Sequence, residues 1–164
     1  GLLNKLNLEP NDPYIPDNYK GTMRESTIEV KYYYMKKAKV IIEYKDKITG
    51  DTIHPDTPIE GYEKDLYSTT PENIDGYDLT EDPTYTPTNT EGEMTPDTIT
   101  VTYYYEQKAE VEVNHIYIVD ESLIENGKIE GYVKDLYKTD SLNSEQHLNY
   151  RLVTNKEYYD YDLF

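Results

Sequence analysis

Between Thr98 and Lys108 the chain reads TITVTYYYEQK, with Ile99, Val101, Tyr103 and Tyr105 at every second position and Thr100 and Thr102 in the gaps. A period of two puts alternate side chains on opposite faces of an extended backbone, so this segment is predicted to be a β-strand with one buried face. Its β-branched and aromatic residues suit a pleated, half-buried surface. Thr27 to Lys37, TIEVKYYYMKK, repeats the alternation through Ile28, Val30, Tyr32 and Tyr34 and is predicted to be a second strand of the same kind.

The same pattern resumes at Val40, Ile42 and Tyr44 after a joint of only Lys36 to Ala38. Asp46 to Asp51, with Gly50, reads as a polar hairpin turn. Thr52 to Glu60 would be the returning strand, confined to a sheet edge because Pro55 and Pro58 cannot donate ladder hydrogen bonds. Gly61 to Thr70 is compatible with one or two turns of helix, marginal without packing. Tyr77 and Leu79 alternate again, Pro83 to Asn89 reads as a loop, and Val111, Val113, His115 and Tyr117 open another strand after a joint at Gln107 to Ala109. Pro10, Pro13 and Pro16 exclude a helix near the start.

These elements recur. Gly21 to Ala38 lies over Gly92 to Ala109 with a spacing of 71, and Ile59 to Tyr67 (IEGYEKDLY) returns as Ile129 to Tyr137 (IEGYVKDLY) with a spacing of 70. Leu8 and Tyr14 also stand 71 residues before Leu79 and Tyr85. A fixed period decides the architecture: residues 1–37 are expected to be the C-terminal half of a first repeat, 38–108 a complete repeat, and 109–164 the N-terminal part of a divergent one. The chain is thus expected to be a piece of a longer array. Joints this short imply units stacked as a stiff or narrowly hinged elongated rod. Unfilled sheet edges in the partial repeats suggest strand exchange between copies.

Composition narrows the function classes. The chain has 33 acidic and 16 basic residues, a formal charge of −17, which argues against nucleic acid or anionic lipid as a partner. No apolar run approaches the roughly 20 residues of a membrane span, so no membrane insertion is expected. With no Cys, disulfides and thiolate chemistry are excluded. Twenty Tyr against one Phe and no Trp suit either a thin core in which Tyr rings are buried with their hydroxyls near water or an adaptable contact surface.

Candidate chemistry is sparse. There is no G-x-S-x-G, H-E-x-x-H or P-loop pattern, and His54, His115 and His147 fall at different places in the repeat, so no enzyme and no cofactor are expected. His115 lines up with Tyr44 and reads as a half-buried strand residue. Asp46, Asp51 and Asp56 cluster around the Gly50 turn and are weak calcium candidates, without EF-hand spacing; a solvated acidic loop is the plainer reading. In the YYY runs the middle residues, Tyr33 and Tyr104, point away from the Ile/Val face. They either cover a second packed layer or offer rings for stacking on a ligand. Tyr62 and Tyr132, each after a Gly, form a second candidate pair.

The order of these signals resembles the MucBP (mucin-binding protein) repeat of Gram-positive surface proteins. Val40, Ile42, Tyr44 and Asp46 match its opening strand, and Gly50 and Asp51 its acidic turn. Gly61, Tyr67 and Thr69, then Ile74, Gly76, Tyr77 and Leu79, follow in order, and Asn89 and Gly92 precede Thr100, Val101, Tyr103 and Tyr105. The third copy departs from the pattern by placing His115 where the strand Tyr stands. The resemblance implies a mainly β fold with an α+β tendency, built of β-grasp-like modules, displayed extracellularly on a bacterial cell wall and adhering to host mucin or another glycoprotein. The alternative is a structural stalk that projects a separate binding domain.

Overall fold

The computed structural model describes residues 9–143 and 145–161. Its strands are β1 (Lys37–Asp46), β2 (Thr52–Tyr62), β3 (Leu66–Ser68), β4 (Tyr77–Leu79), β5 (Glu91–Glu93), β6 (Ile99–Ile116) and β7 (Leu123–Tyr132), followed by a short helix α1 (Asn155–Asp160). The fold is mainly β. The main sheet runs β2-β1-β6-β4, and β7 pairs with the far half of β6. At its centre β1 and β6 are parallel, in register from Val40 opposite Ile99 to Asp46 opposite Tyr105. β2 and β4 flank them antiparallel, with β2 on the edge that its prolines predict.

The alternation of the sequence becomes the two faces of this sheet. Ala38, Val40, Ile42 and Tyr44 of β1 and Val101, Tyr103 and Tyr105 of β6 form the core with Tyr67 and Met94, which the small antiparallel sheet β3-β5 and its flank lay over them. The Tyr-rich core solves its polar problem locally. Tyr44 Oη lies 3.0 Å from Thr57 Oγ1, Tyr103 Oη 2.9 Å from Thr69 Oγ1, and the Tyr67 and Tyr105 hydroxyls donate to the carbonyls of Asn89 (3.0 Å) and Glu72 (2.8 Å). Each ring is removed from water while its hydroxyl keeps a partner, which avoids the cost of an unpaired buried polar group.

The β1–β2 hairpin closes as predicted. Asp46 Oδ1 accepts the amides of Ile48 (2.7 Å) and Thr49 (2.9 Å), and the Gly50 amide donates to the Asp46 carbonyl with Gly50 at φ +75°, where a side chain would be strained.

Two expectations change. Thr27 to Lys36 is not a strand, although its sequence copies that of β6. Tyr34 is 87% exposed where its counterpart Tyr105 is 1% exposed, and Met23 is 95% exposed where Met94 is 4% exposed. The physical reason is pairing: β6 is held between β1 and β4, whereas among the described residues no strand pairs with Thr27 to Lys36. An alternating sequence provides a face, and only neighbouring strands make it a sheet.

Second, Gly61 to Thr70 contains no helix. A tight turn with Lys64 at φ 76° leads into β3, and Asp65 Oδ2 accepts the Tyr62 amide at 2.8 Å. The same turn recurs with Lys134 at φ 73° and Asp135 on the Tyr132 amide at 2.8 Å, which explains why GYxKD is copied. A Cβ on Gly61 or Gly131 would lie 2.7 or 2.8 Å from that aspartate oxygen. The helix α1 stands where the alternation marks no element. Its signal is a capping box: Thr154 Oγ1 accepts the Glu157 amide at 3.3 Å while Glu157 Oε2 accepts the Thr154 amide at 2.8 Å.

The joint at Gln107 to Ala109 is not a linker. β6 runs through it as one 18-residue strand, its second half pairing with β7 in the register that β1 keeps with β2: Val111 faces Ile129 as Val40 faces Ile59.

Candidate functional site

On the sheet face opposite the core, the off-register residues of β6 and β1 come together. Tyr104 stands between Thr102 and Glu106 and is covered by Tyr85, ring centroids 5.1 Å apart at 75°. The sequence places Tyr85 there through a single 3-10 turn, Pro83–Tyr85, started by Pro83 and capped by Asp82, whose Oδ1 accepts the Thr84 amide at 3.0 Å. Lys47 Nζ lies 5.6 Å from the Tyr85 ring centroid, 3.2 Å from Glu106 Oε1 and 3.5 Å from Asp82 Oδ2. Hydrogen bonding to Glu106 holds the Lys47 ammonium above its usual pKa, and the Thr84 amide holds the Asp82 carboxyl below the ordinary range. Thr80 Oγ1 donates to Glu106 Oε2 at 3.1 Å, completing a chain of polar groups around two half-buried rings. Such a ledge can stack an apolar ring face while its charged rim exchanges hydrogen bonds.

The same pair recurs 71 residues upstream. Tyr14 and Tyr33 are 5.9 Å apart and inclined at 58°, and both are exposed. Tyr104 is therefore packed on its own unit, while Tyr33 combines a ring partner with open exposure. Tyr85 and Lys47 escaped the sequence reading of the site; the recurrence of Tyr14 as Tyr85 was the signal available for the first, and nothing in the local pattern marked Lys47.

Tyr62 and Tyr132 do not join this ledge. They sit opposite Lys37 and Lys108, at the two joints. The Tyr132 hydroxyl donates to Asp78 Oδ2 at 2.9 Å, which raises its pKa, while Tyr62 is about half exposed. The counterpart of Asp78 for Tyr62 is Asn7, outside the described residues. Beside the second joint, a cleft of about 520 Å³ opens between the Pro71 to Asp75 loop and β4, with Tyr105 and Lys108 in its wall. Thus the four candidate tyrosines occupy three kinds of place: Tyr104 a sheet-face ledge, Tyr33 an exposed segment outside the sheet, and Tyr62 and Tyr132 the joints.

The weak calcium candidates are not assembled. Asp46 is buried with Oδ1 engaged by two turn amides, and among the described residues no group of three or more His, Cys, Asp or Glu side chains could hold a metal ion. The histidines stand apart: the His54 ring packs edge-on against Tyr44, His115 is half-buried in β6, and His147 Nε2 lies 2.9 Å from Glu125 Oε2. No helix among the described residues is long and apolar enough to cross a membrane.

Comparison with known proteins bears first on the central unit. Residues 39–106 match the family model described as the MucBP domain. Over 148 residues the chain is 33% identical to Internalin J of Listeria monocytogenes serotype 4b (strain F2365) and 32% identical to Internalin J of serovar 1/2a (strain EGD-e), in each case across 85% of this chain. It spans only 15% and 16% of those two relatives. Among solved structures, the mucin-binding domain of Spr1345 from Streptococcus pneumoniae is 20% identical, with 43% of this chain and 91% of that one covered and a TM-score of 0.27. The β1-to-β6 unit with its Tyr-rich core and copied turns is thus a MucBP domain.

Proposed function

We propose that this chain is a non-enzymatic segment of an extracellular adhesin on the surface of a Gram-positive cell, whose repeated modules bind host mucin-type glycoprotein or glycan. The observation that carries the reading is the recurrence of one aromatic pair, Tyr14 with Tyr33 and Tyr85 with Tyr104, in both cases outside the hydrophobic core. Paired rings with neighbouring carboxylates and a lysine suit sugar rings, which present one apolar face and a rim of hydroxyls. The MucBP domain and the Listeria relatives support surface display.

A mixed sheet with two parallel central strands flanked by antiparallel ones supports the β-grasp-like reading, as do Tyr67 and Met94, which the connection from β2 to β6 contributes to the core. The uninterrupted β6 supports a stacked array and, with it, the second reading: modules that serve as a stalk for a separate binding domain.

The test is binding of the chain to immobilised mucin and to deglycosylated mucin, beside a Tyr33→Ala/Tyr104→Ala variant whose fold is checked by circular dichroism. Glycan-dependent binding lost in the folded variant is the expected result. Absence of binding at high micromolar concentration would overturn it in favour of the stalk.

A further inference from the structure

The topology fixes how this protein meets a pulling force. The chain enters the main sheet at the N-terminal end of β1, Lys37, and leaves it along β6 past Gln107. β1 and β6 are direct neighbours and parallel. The entry point therefore lies beside Ile99 at one end of their ladder, and the exit lies beyond Tyr105 at the other. Tension along the chain drags the two strands past one another lengthwise.

We infer that the β1–β6 pair is a force-bearing clamp, loaded in shear, that lets the module hold tension along the chain without opening. In shear all seven register pairs from Val40/Ile99 to Asp46/Tyr105 resist together, whereas a pull on adjacent strand ends opens them one at a time. Side chains join the same two strands on both faces. Within the core, Val40, Ile42 and Tyr44 pack with Val101, Tyr103 and Tyr105. On the other face Thr102 Oγ1 donates to Glu43 Oε2 at 3.2 Å and Lys47 Nζ, one residue past β1, meets Glu106 Oε1 at 3.2 Å, while the Lys47 amide extends the ladder by donating to the Tyr105 carbonyl at 2.9 Å. On the exit side the load meets no soft stretch, because β6 continues unbroken to Ile116 as a partner of β7. This role goes beyond ligand binding and does not depend on it: both an adhesive module and a stalk would need it under flow.

Single-molecule pulling tests the clamp directly, and the absence of native cysteine makes two introduced thiols the only handles. In the full chain, Lys37→Cys/Gln107→Cys applies the force in shear, and Lys37→Cys/Asp97→Cys applies it to neighbouring ends of β1 and β6. All three side chains are exposed, and each variant is first matched to the unsubstituted chain by circular dichroism and thermal melting. A released length of about 3.5 Å per residue between the thiols identifies events in this sheet. At one loading rate the shear pair is expected to rupture at a several-fold higher force, since forced unfolding follows the unfolding barrier along the pulled direction. Equal forces, or a lower force in shear, would overturn the inference. Lys39→Cys in place of Lys37→Cys, with the same two second sites, repeats the comparison if the first position perturbs folding. No mucin is present, so the outcome is separate from that of the binding experiment.

Discussion

The hydroxyl of Tyr132 and the carboxylate of Asp78, 54 residues apart in sequence, meet at 2.9 Å and tie β7 to β4 across the point where β6 passes from one sheet region to the next. Lys108 Nζ adds an ion pair to Asp78 at 3.3 Å, and two backbone bonds, Val133 amide to Gln107 carbonyl and Lys108 amide to Gly76 carbonyl, close the joint at 2.9 Å each. A continuous strand alone can still twist or bend. The lateral ties are what fix the direction in which β7 leaves the central sheet.

Tyr132→Phe removes one tie while leaving the ring. The expected outcome is a wider angular spread between the β1-to-β6 unit and the β6–β7 ribbon, read by residual dipolar couplings, with unchanged melting of the central unit. Because Asp78 raises the Tyr132 pKa above 10.0, alkaline ionisation of the phenol against the carboxylate should loosen the same joint in the unsubstituted chain, and not further in the Phe variant. Identical couplings in the two proteins would show that the strand suffices.

At the copied turn, Gly61→Ala is expected to destabilise the protein by about 1–3 kcal/mol, the usual cost of overpacking. The added Cβ would sit 2.7 Å from Asp65 Oδ2 and 3.0 Å from Met94 Sδ, and the Asp65 carboxylate cannot retreat without releasing the Tyr62 amide. Gly21→Ala meets nothing within 4 Å and should be near neutral. Urea denaturation of both variants checks the contrast.

Burial pushes the Tyr105 phenol up from 10.0 to about 12. An acid whose folded pKa exceeds its unfolded value stabilises the fold while protonated, so the contribution is complete below pH 10 and is lost as pH rises toward about 12. The expected loss is about 1–3 kcal/mol over that window. Tyr105→Phe lacks this component of the alkaline slope, though it forfeits the hydrogen bond to Glu72, and comparing denaturant midpoints of the two proteins from pH 9 to 12 isolates the Tyr105 contribution.

Hydrogen exchange should separate two nearly identical sequences. Amides of Val101, Tyr103 and Tyr105 are expected to exchange only with global unfolding, and those of Val30, Tyr32 and Tyr34 at close to solvent rates. Comparable protection in both segments would mean that Thr27 to Lys36 finds a sheet partner in solution.

Much of this molecule is readable from alternation and punctuation. The β1–β2 hairpin follows from Val40, Ile42 and Tyr44, the Asp46–Gly50 turn and the edge prolines, each of which acts locally. The Tyr-rich core was one of the two uses of tyrosine that the composition suited. The GYxKD turn was visible as a copied block but not as a conformation, because carboxylate capping of an amide three residues back and a lysine at positive φ leave no periodicity to detect. The ledge was half legible: alternation marked Tyr33 and Tyr104, yet their partners Tyr14 and Tyr85 arrive from loops whose course depends on the whole unit.

The clearest division lies between Thr27–Lys36 and Thr98–Gln107. Sequence by itself determined that both have one apolar face, where the turns fall and which blocks repeat. Tertiary structure decided which copy becomes a strand: β6 is hydrogen-bonded on both sides by β1 and β4, and the other segment has neither. It also decided that β1 and β6 lie side by side and parallel, since strand order is set by which faces can share one core and not by any residue of the strands taken alone.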